Sequence, residues 1–400
     1  MAFNIVPVSS PRKERDFLSF PGKLYSIDPH YVRPFDSEIK KAFNPSVNPY
    51  FGHGDATRWL ALDKNGRVKG RIAAFYDRDK DEAETIKNGG CGFFECINDQ
   101  EVANLLFDTA RDWLKEQGYE AMDGPVNFGE NDSNWGCLVQ GSGPPTIGMT
   151  YNPLYYRELF ENYGFKLFYR QLSFQLDVNK PFPERFWKIA EWINRRPGYS
   201  WKHFDPKQLS RFVDDTVSIY NEAWSKMRQD FTPLDPASLY DEFRKIKSIM
   251  DPELIWYAYY NDKPIAFFMF LPDANPVFKH LNGKLHLLNK LRFLYYLSSN
   301  KMNRARGTAA GVVPQFQNSG VESGIFWQLN EVVKKKPWLT HLELSWTGDF
   351  NKKMLALYKN MEAEHIKTHI SYRYLFDPER PFERFMPDEV DEASLPPDCR

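Results

Sequence analysis

The chain is poor in the features that would place it in a class at once. Its 400 residues hold four cysteines, Cys91, Cys96, Cys137 and Cys399, with no Cys-x-x-Cys spacing. That is too few for a disulfide scaffold and fits free thiols in a reducing compartment. No charge of one sign prevails: 52 Lys and Arg stand against 53 Asp and Glu, a formal net charge of −1. This argues against a protein whose main task is to coat nucleic acid or an anionic membrane. The most apolar stretch, 285–297, is short and interrupted by His286, Asn289, Lys290 and Arg292, so it cannot span a bilayer. The N-terminus lacks a basic-then-apolar leader, and no His-x-x-x-His or acidic triad has metal-ligand spacing. The expectation is a cytoplasmic protein with no metal, no nucleic-acid partner and no membrane partner.

What is present suffices for large cores. Hydrophobic residues make up 42% and aromatics 16%, which excludes wholesale disorder, and the length suits two domains. Lys64-Asn65-Gly66 between the apolar runs 57–62 and 68–75 signals a β-hairpin, because Asn and Gly tolerate positive φ. A helix is expected over 13–27, interrupted at Pro21-Gly22. A strand at 92–96 leads into a helix marked by Val102, Leu106, Ala110 and Leu114 and ended by Gly118. A short helix closed by Gly164 and a strand over 166–176 complete the first half. From Pro181 the order repeats: helices at 182–193 and 209–224, a second hairpin around 261–264, then an amphipathic insert, 281–298. The tail from Asp377 is proline-rich, acidic and expected to be extended. The repetition reads as a tandem duplication with divisions at 1–180, 181–377 and 378–400.

The segment Arg306 to Ala363 carries the first functional signal. An apolar strand over 308–313 runs through Gln317-Asn318-Ser319-Gly320-Val321 into a helix marked by Ile325, Phe326, Leu329 and Val332. A strand, a glycine turn and a helix N-terminus together can hold phosphate, because the first helical N–H groups are unpaired and the dipole favours an anion. A strand over 340–346 follows, then Asn351 and a helix carrying Tyr358. This order resembles the GCN5-related N-acetyltransferase (GNAT) superfamily, whose pyrophosphate loop reads roughly Gln/Arg-x-x-Gly-x-Gly/Ala. Gln317 to Val321 follow that pattern, and Asn351 with Tyr358 seven residues on follows a later one. Glu322 stands where a small residue is usual, and Glu362-Ala363 replaces a closing Gly-Phe.

The resemblance implies an α+β fold of two tandem acyl-CoA N-acyltransferase-like domains, each a mixed twisted sheet flanked by helices. It implies an acyl-CoA cosubstrate, acetyl-CoA being expected, and transfer to a small-molecule or peptide amine by direct attack. The pyrophosphate would lie on Gln317, Asn318, Ser319, Gly320 and Val321, with Asn351 at its motif position. The pantetheine arm would run along the strand ending at Val312 and Val313. Tyr358 would protonate the leaving thiolate, its bland alternative being a packing residue. Glu343, on one face with His341 and Ser345, is the candidate general base, or a buried carboxylate in a structural pair. Asp349 follows in the turn before Asn351.

The halves are not equivalent. Asp99 and Glu101 at the first-half helix start would repel a pyrophosphate, and Phe160 stands where the second half has Tyr358; the first half therefore reads as scaffold or acceptor wall. Trp135, Trp224, Phe231 and Trp256 are candidates for a wall between the halves, and the 281–298 insert for a lid or a broadened contact. Two other readings stay open. A Fem-like aminoacyl-tRNA transferase would need a basic groove and a helical arm, which the near-neutral charge does not favour. A non-catalytic GNAT-like module is supported by Glu322 and Glu362-Ala363.

Overall fold

The structure, a computed structural model, describes residues 2–81, 85–129, 135–224, 233–299 and 301–385. The first half contains β1 (Phe3–Pro7), α1 (Pro11–Leu24), α2 (Asp36–Ala42), β2 (Gly54–Asp63), β3 (Val68–Asp77), β4 (Asn88–Cys96), α3 (Gln100–Glu116), β5 (Ala121–Gly124), β6 (Cys137–Gln140), α4 (Tyr156–Tyr163) and β7 (Lys166–Asp177). The second contains α5 (Glu184–Asn194), β8 (Tyr199–His203), α6 (Leu209–Trp224), α7 (Pro236–Ile246), β9 (Ile255–Tyr260), β10 (Lys263–Pro272), α8 (Asn275–Phe278) and α9 (Leu287–Leu297). It ends with β11 (Arg304–Val312), α10 (Val321–Val333), β12 (His341–Glu343), β13 (Thr347–Gly348), α11 (Lys352–Asn360) and β14 (Glu364–Leu375).

All the described strands join one mixed sheet, flanked by helices, in the order β1-β2-β3-β4-β5-β14-β7-β12-β11-β10-β9-β8, with β6 on β14 and β13 on β7. The halves repeat each other: β4 and β5 are parallel across α3, and β11 and β12 are parallel across α10. Their last strands are exchanged. β14 pairs with β5 of the first half, while β7 pairs with β12 of the second. Each half's core is therefore closed by the other: Ile370 and Tyr372 pack with Leu106 and Phe160, and Leu176 with Phe326 and Tyr358. Alternation in a strand tells which face is buried but not which edge it joins, so a division by residue number misses this exchange.

Three expectations change. The helix α1 runs through Pro21 to Leu24. Proline lacks the N–H that would bond the carbonyl of Phe17, and the buried Arg71 Nη1 donates to that carbonyl instead, at 2.7 Å. The strand expected over 340–346 is broken into β12 and β13 along β7, leaving Ser345 and Trp346 out of the ladder. The start of the tail is docked: Phe385 packs on Phe168, Tyr169 and Phe350, and Arg384 Nη2 reaches Asp349 Oδ2 at 2.6 Å. The rest of the tail, with Cys399, lies outside the described residues.

Candidate acyl transfer site

The β11–β12 ladder covers only Arg304–Arg306 against His341–Glu343. From Gly307 onward β11 pairs only with β10, so the two parallel strands part there. A Cβ on Gly307 would stand 3.1 Å from the amide nitrogen of Ser345, which places Ser345 at the apex of the opening. Across that apex the Tyr358 hydroxyl donates to the Ser345 carbonyl at 3.0 Å. Tyr358 is buried against Phe174, and burial holds its phenol above its usual range, so the group is a protonated donor at neutral pH.

The opening leads to the start of α10. Gly320 is its N-cap, with no side-chain cap, at φ +87°, and Asn318 also takes positive φ at +62°. The first N–H groups of an α-helix have no intrahelical carbonyl partner, and at α10 the N-cap residue offers none of them a side chain, the arrangement on which anion sites are built. Ser319 Oγ donates to the Phe316 carbonyl at 2.6 Å, and Gln317 Nε2 to the Val312 carbonyl at 3.3 Å. Val313 has its N–H on the Ile265 carbonyl, and its own carbonyl accepts from the Phe316 N–H. Val321 is buried. Two features restrict the loop. The Ile189 Cγ2 of α5 lies 2.8 Å from where a Gly320 Cβ would stand. Burial raises the pKa of Glu322, in the first turn of α10, and its own backbone N–H opposes that shift.

Asn351 caps α11 by accepting from the Met354 N–H at 3.1 Å. The helix ends in the same turn as α4: the N–H of Ala363 bonds to Tyr358 as that of Phe165 bonds to Phe160. At the left-handed position of that turn the first half has Gly164 (φ +112°) and the second has Glu362 (φ +54°). The departure from Gly-Phe is therefore a change of residue in a preserved geometry.

On the opposite face of the sheet lies a buried polar seam. The first-half segment 144–147 crosses it. Thr146 Oγ1 donates to Glu343 Oε1 at 2.5 Å, Arg306 Nη1 to the Ile147 carbonyl at 2.6 Å, and Lys367 Nζ to the Pro144 carbonyl at 2.9 Å. Asp273 pairs with Arg304 at 2.7 Å and accepts from the Ile147 N–H at 2.9 Å. Glu343 is thus built into the contact between the halves. His369, on the same face, is fully buried; desolvation, then repulsion from Lys367, brings its pKa down to about 3. Gln171, its cross-strand partner, has both side-chain polar atoms without a partner among the described residues. Asp349 is bound by Arg170 and Arg384, a structural role. His341 contacts Thr340 through its ring.

In the first half the corresponding opening is filled. The Val126 carbonyl oxygen lies 1.7 Å from where a Gly92 Cβ would be, and the Val126 N–H bonds to Cys91 at 2.9 Å. Asp99 caps α3, accepting from Glu101 and Val102 at 2.9 and 3.3 Å. The self-capped helix start leaves no place for an anion.

Sequence reasoning missed Lys353, whose Nζ donates to Gln317 Oε1 at 3.3 Å and brings a cation beside the loop. It also missed the seam, whose members come from both halves; only tertiary pairing joins them. Trp256 packs in the second core and Trp135 near Phe75 and Phe128; the Trp224 side chain and Phe231 lie outside the described residues. A trio with metal-ligand reach, His53, Asp77 and Asp79, is brought together away from this site.

No family model matches the chain. It is 28% identical to the bacterial ceramide synthase of Caulobacter vibrioides over 377 residues, covering 92% of this chain and 96% of that protein. It is 25% identical to protein YghO of Escherichia coli over 361 residues, with coverages of 89% and 91%. Among solved structures it superposes on a tandem GNAT protein from the clavulanic acid biosynthesis pathway with a TM-score of 0.55 and 11% identity, covering 94% of this chain and 100% of that one. Together with the repeated order of elements and the parted parallel strands in the second half, this shows that the chain has the tandem GNAT fold.

Proposed function

We propose that the protein is an N-acyltransferase that takes its acyl group from acyl-CoA at the second-half opening and passes it to an amine entering from the seam side. One observation carries the reading: the same place in the fold is open in the second half and plugged in the first. The open copy has a helix start whose N-cap residue, the left-handed Gly320, supplies no capping side chain, with Lys353 beside the loop and the Tyr358 hydroxyl at the apex. The closed copy has the Val126 backbone and the Asp99 cap. The residues suit a pyrophosphate apart from Glu322, whose raised pKa lowers the cost of neutralising it beside an anion.

In the reaction, a neutral amine attacks the thioester carbon, the acyl–sulfur bond breaks, the departing thiolate takes a proton from a phenol, and the proton shed by the new amide nitrogen returns to the phenolate. Tyr358 is the donor in this reading, and Glu343, held by Thr146, is a positioning group for the amine side. The likeness to a ceramide synthase over nearly the full length of both chains favours a long acyl chain and a long-chain amine over the acetyl group and small amine expected from the sequence. A purified sample should be stabilised against heat by CoA, through selective binding to the folded state, by about 4 kcal/mol at a thousandfold excess over Kd. Gly320→Glu should abolish the effect. Stabilisation that persists in Gly320→Glu would place the ligand elsewhere, and none in the wild type at millimolar CoA would refute the reading.

A further inference from the structure

The insert between β10 and β11 carries the largest concentration of exposed apolar side chains among the described residues. Of thirteen exposed large hydrophobic residues, six lie between Leu285 and Tyr295. Scattered singly such residues need no explanation, but a contiguous group marks an interaction surface. Within α9 the usual arrangement is inverted. Asn289 is 3% exposed, its amide donating to the carbonyls of Leu281 and Lys284 at 2.8 Å, while Leu287, Leu288, Leu291, Leu294 and Tyr295 stand 75%, 64%, 59%, 59% and 69% exposed. The inner side is held by Phe293 on Phe278 and Tyr296 on His280. At 3.6 residues per turn the five exposed side chains span an arc of about 120°, with Lys290 on one flank and Arg292 on the other.

The insert's own charges are of one sign. From Ala274 to Val321 the sequence has no Asp or Glu, and Lys279, Lys284, Lys290, Arg292 and Lys301 are all exposed. A contact between copies of the protein would set these cations against each other, whereas an anionic lipid surface complements them. We propose that α9 docks the protein on an anionic membrane surface, the leucine face entering the acyl boundary and the flanking cations lying at the headgroups. Near-zero net charge conceals this, because it averages over a chain whose charges are segregated.

The insert is rooted at the seam. It leaves the sheet at Pro272 and returns at Arg304, where Asp273 and Arg304 pair beside Pro145. Phe278 also meets Phe35, and the Gly283 carbonyl accepts from the Asp36 N–H at 2.9 Å. Docking thus brings lipid to the side of the protein from which, on the proposed function, the amine enters; the docking itself does not depend on catalysis.

Sedimentation of the full chain with phosphatidylcholine vesicles, with and without a third of phosphatidylglycerol, tests this. The wild type should sediment with the anionic vesicles. Leu287→Ser/Leu291→Ser/Leu294→Ser should weaken partitioning by at least about tenfold, and Lys284→Glu/Lys290→Glu by about fivefold or more per charge. A Tyr295→Trp reporter in the otherwise unaltered chain should shift its emission to the blue on vesicles, which keeps the test valid if the triple variant fails to fold. Wild type left in the supernatant, equal binding to neutral vesicles, a folded triple variant that binds undiminished, or emission from the Tyr295→Trp reporter that does not move would each overturn the proposal. So would a dimer that the triple substitution dissolves without any vesicle binding.

Discussion

Replacing Tyr358 by Phe is expected to lower turnover by about a hundredfold or more while leaving the affinity for CoA unchanged. The substitution keeps the ring that packs on Phe174 and removes only the hydroxyl at the apex of the parted strands. Because burial holds the phenol above its ordinary range, it is fully protonated at neutral pH, and rotating its O–H from the Ser345 carbonyl toward a thiolate requires no ring movement. The stability cost of leaving that carbonyl without a donor should be about 1–3 kcal/mol, so the variant should remain folded. Stopped turnover with CoA binding also lost would assign Tyr358 a structural role, and unchanged turnover would remove it from the chemistry.

His369 sets the second large effect, on stability rather than rate. Its folded pKa of about 3 lies below the ordinary 6.5, so between those values the unfolded chain binds a proton that the folded chain does not. Stability from this group is present above about pH 6.5 and falls as the pH drops toward 3. At about 1.4 kcal/mol per pH unit the loss is on the order of 3 kcal/mol by about pH 4. Urea unfolding of the wild type and His369→Gln at neutral pH and at about pH 4 isolates this contribution from that of the carboxylates. The variant should lose less stability on acidification by roughly that amount; equal losses would mean that His369 takes up its proton within the folded protein.

Much of the fold was legible because its signals are local. Asn65-Gly66 and Asn261-Asp262 make turns whose φ values the flanking strands require, with Gly66 at +73° and Asn261 and Asp262 at +47° and +62°. The periodicities of α3 and α10 show which face is buried. The phosphate loop could be found for the same reason, since Gln317 to Val321 are consecutive. What could not be read depends on contacts remote in sequence. The strand exchange joins residues 121–124 to 372–375, and Thr146 meets Glu343 across 197 positions. The plug in the first half arises because the Val126 backbone lies where Gly92 leaves room, a relation that glycine content alone does not announce. Glu362 illustrates the converse: it departs from the family pattern, yet its backbone keeps the left-handed turn.

Amide formation from a CoA thioester is measured directly by mass spectrometry of the purified protein incubated with long-chain acyl-CoA and a long-chain primary amine, with free CoA thiol titrated in parallel. An N-acylated amine and CoA thiol should form in equal amounts, both lost in Gly320→Glu. Neither amide nor thiol, with long-chain or short-chain acyl-CoA and a panel of amines, would contradict the proposed function.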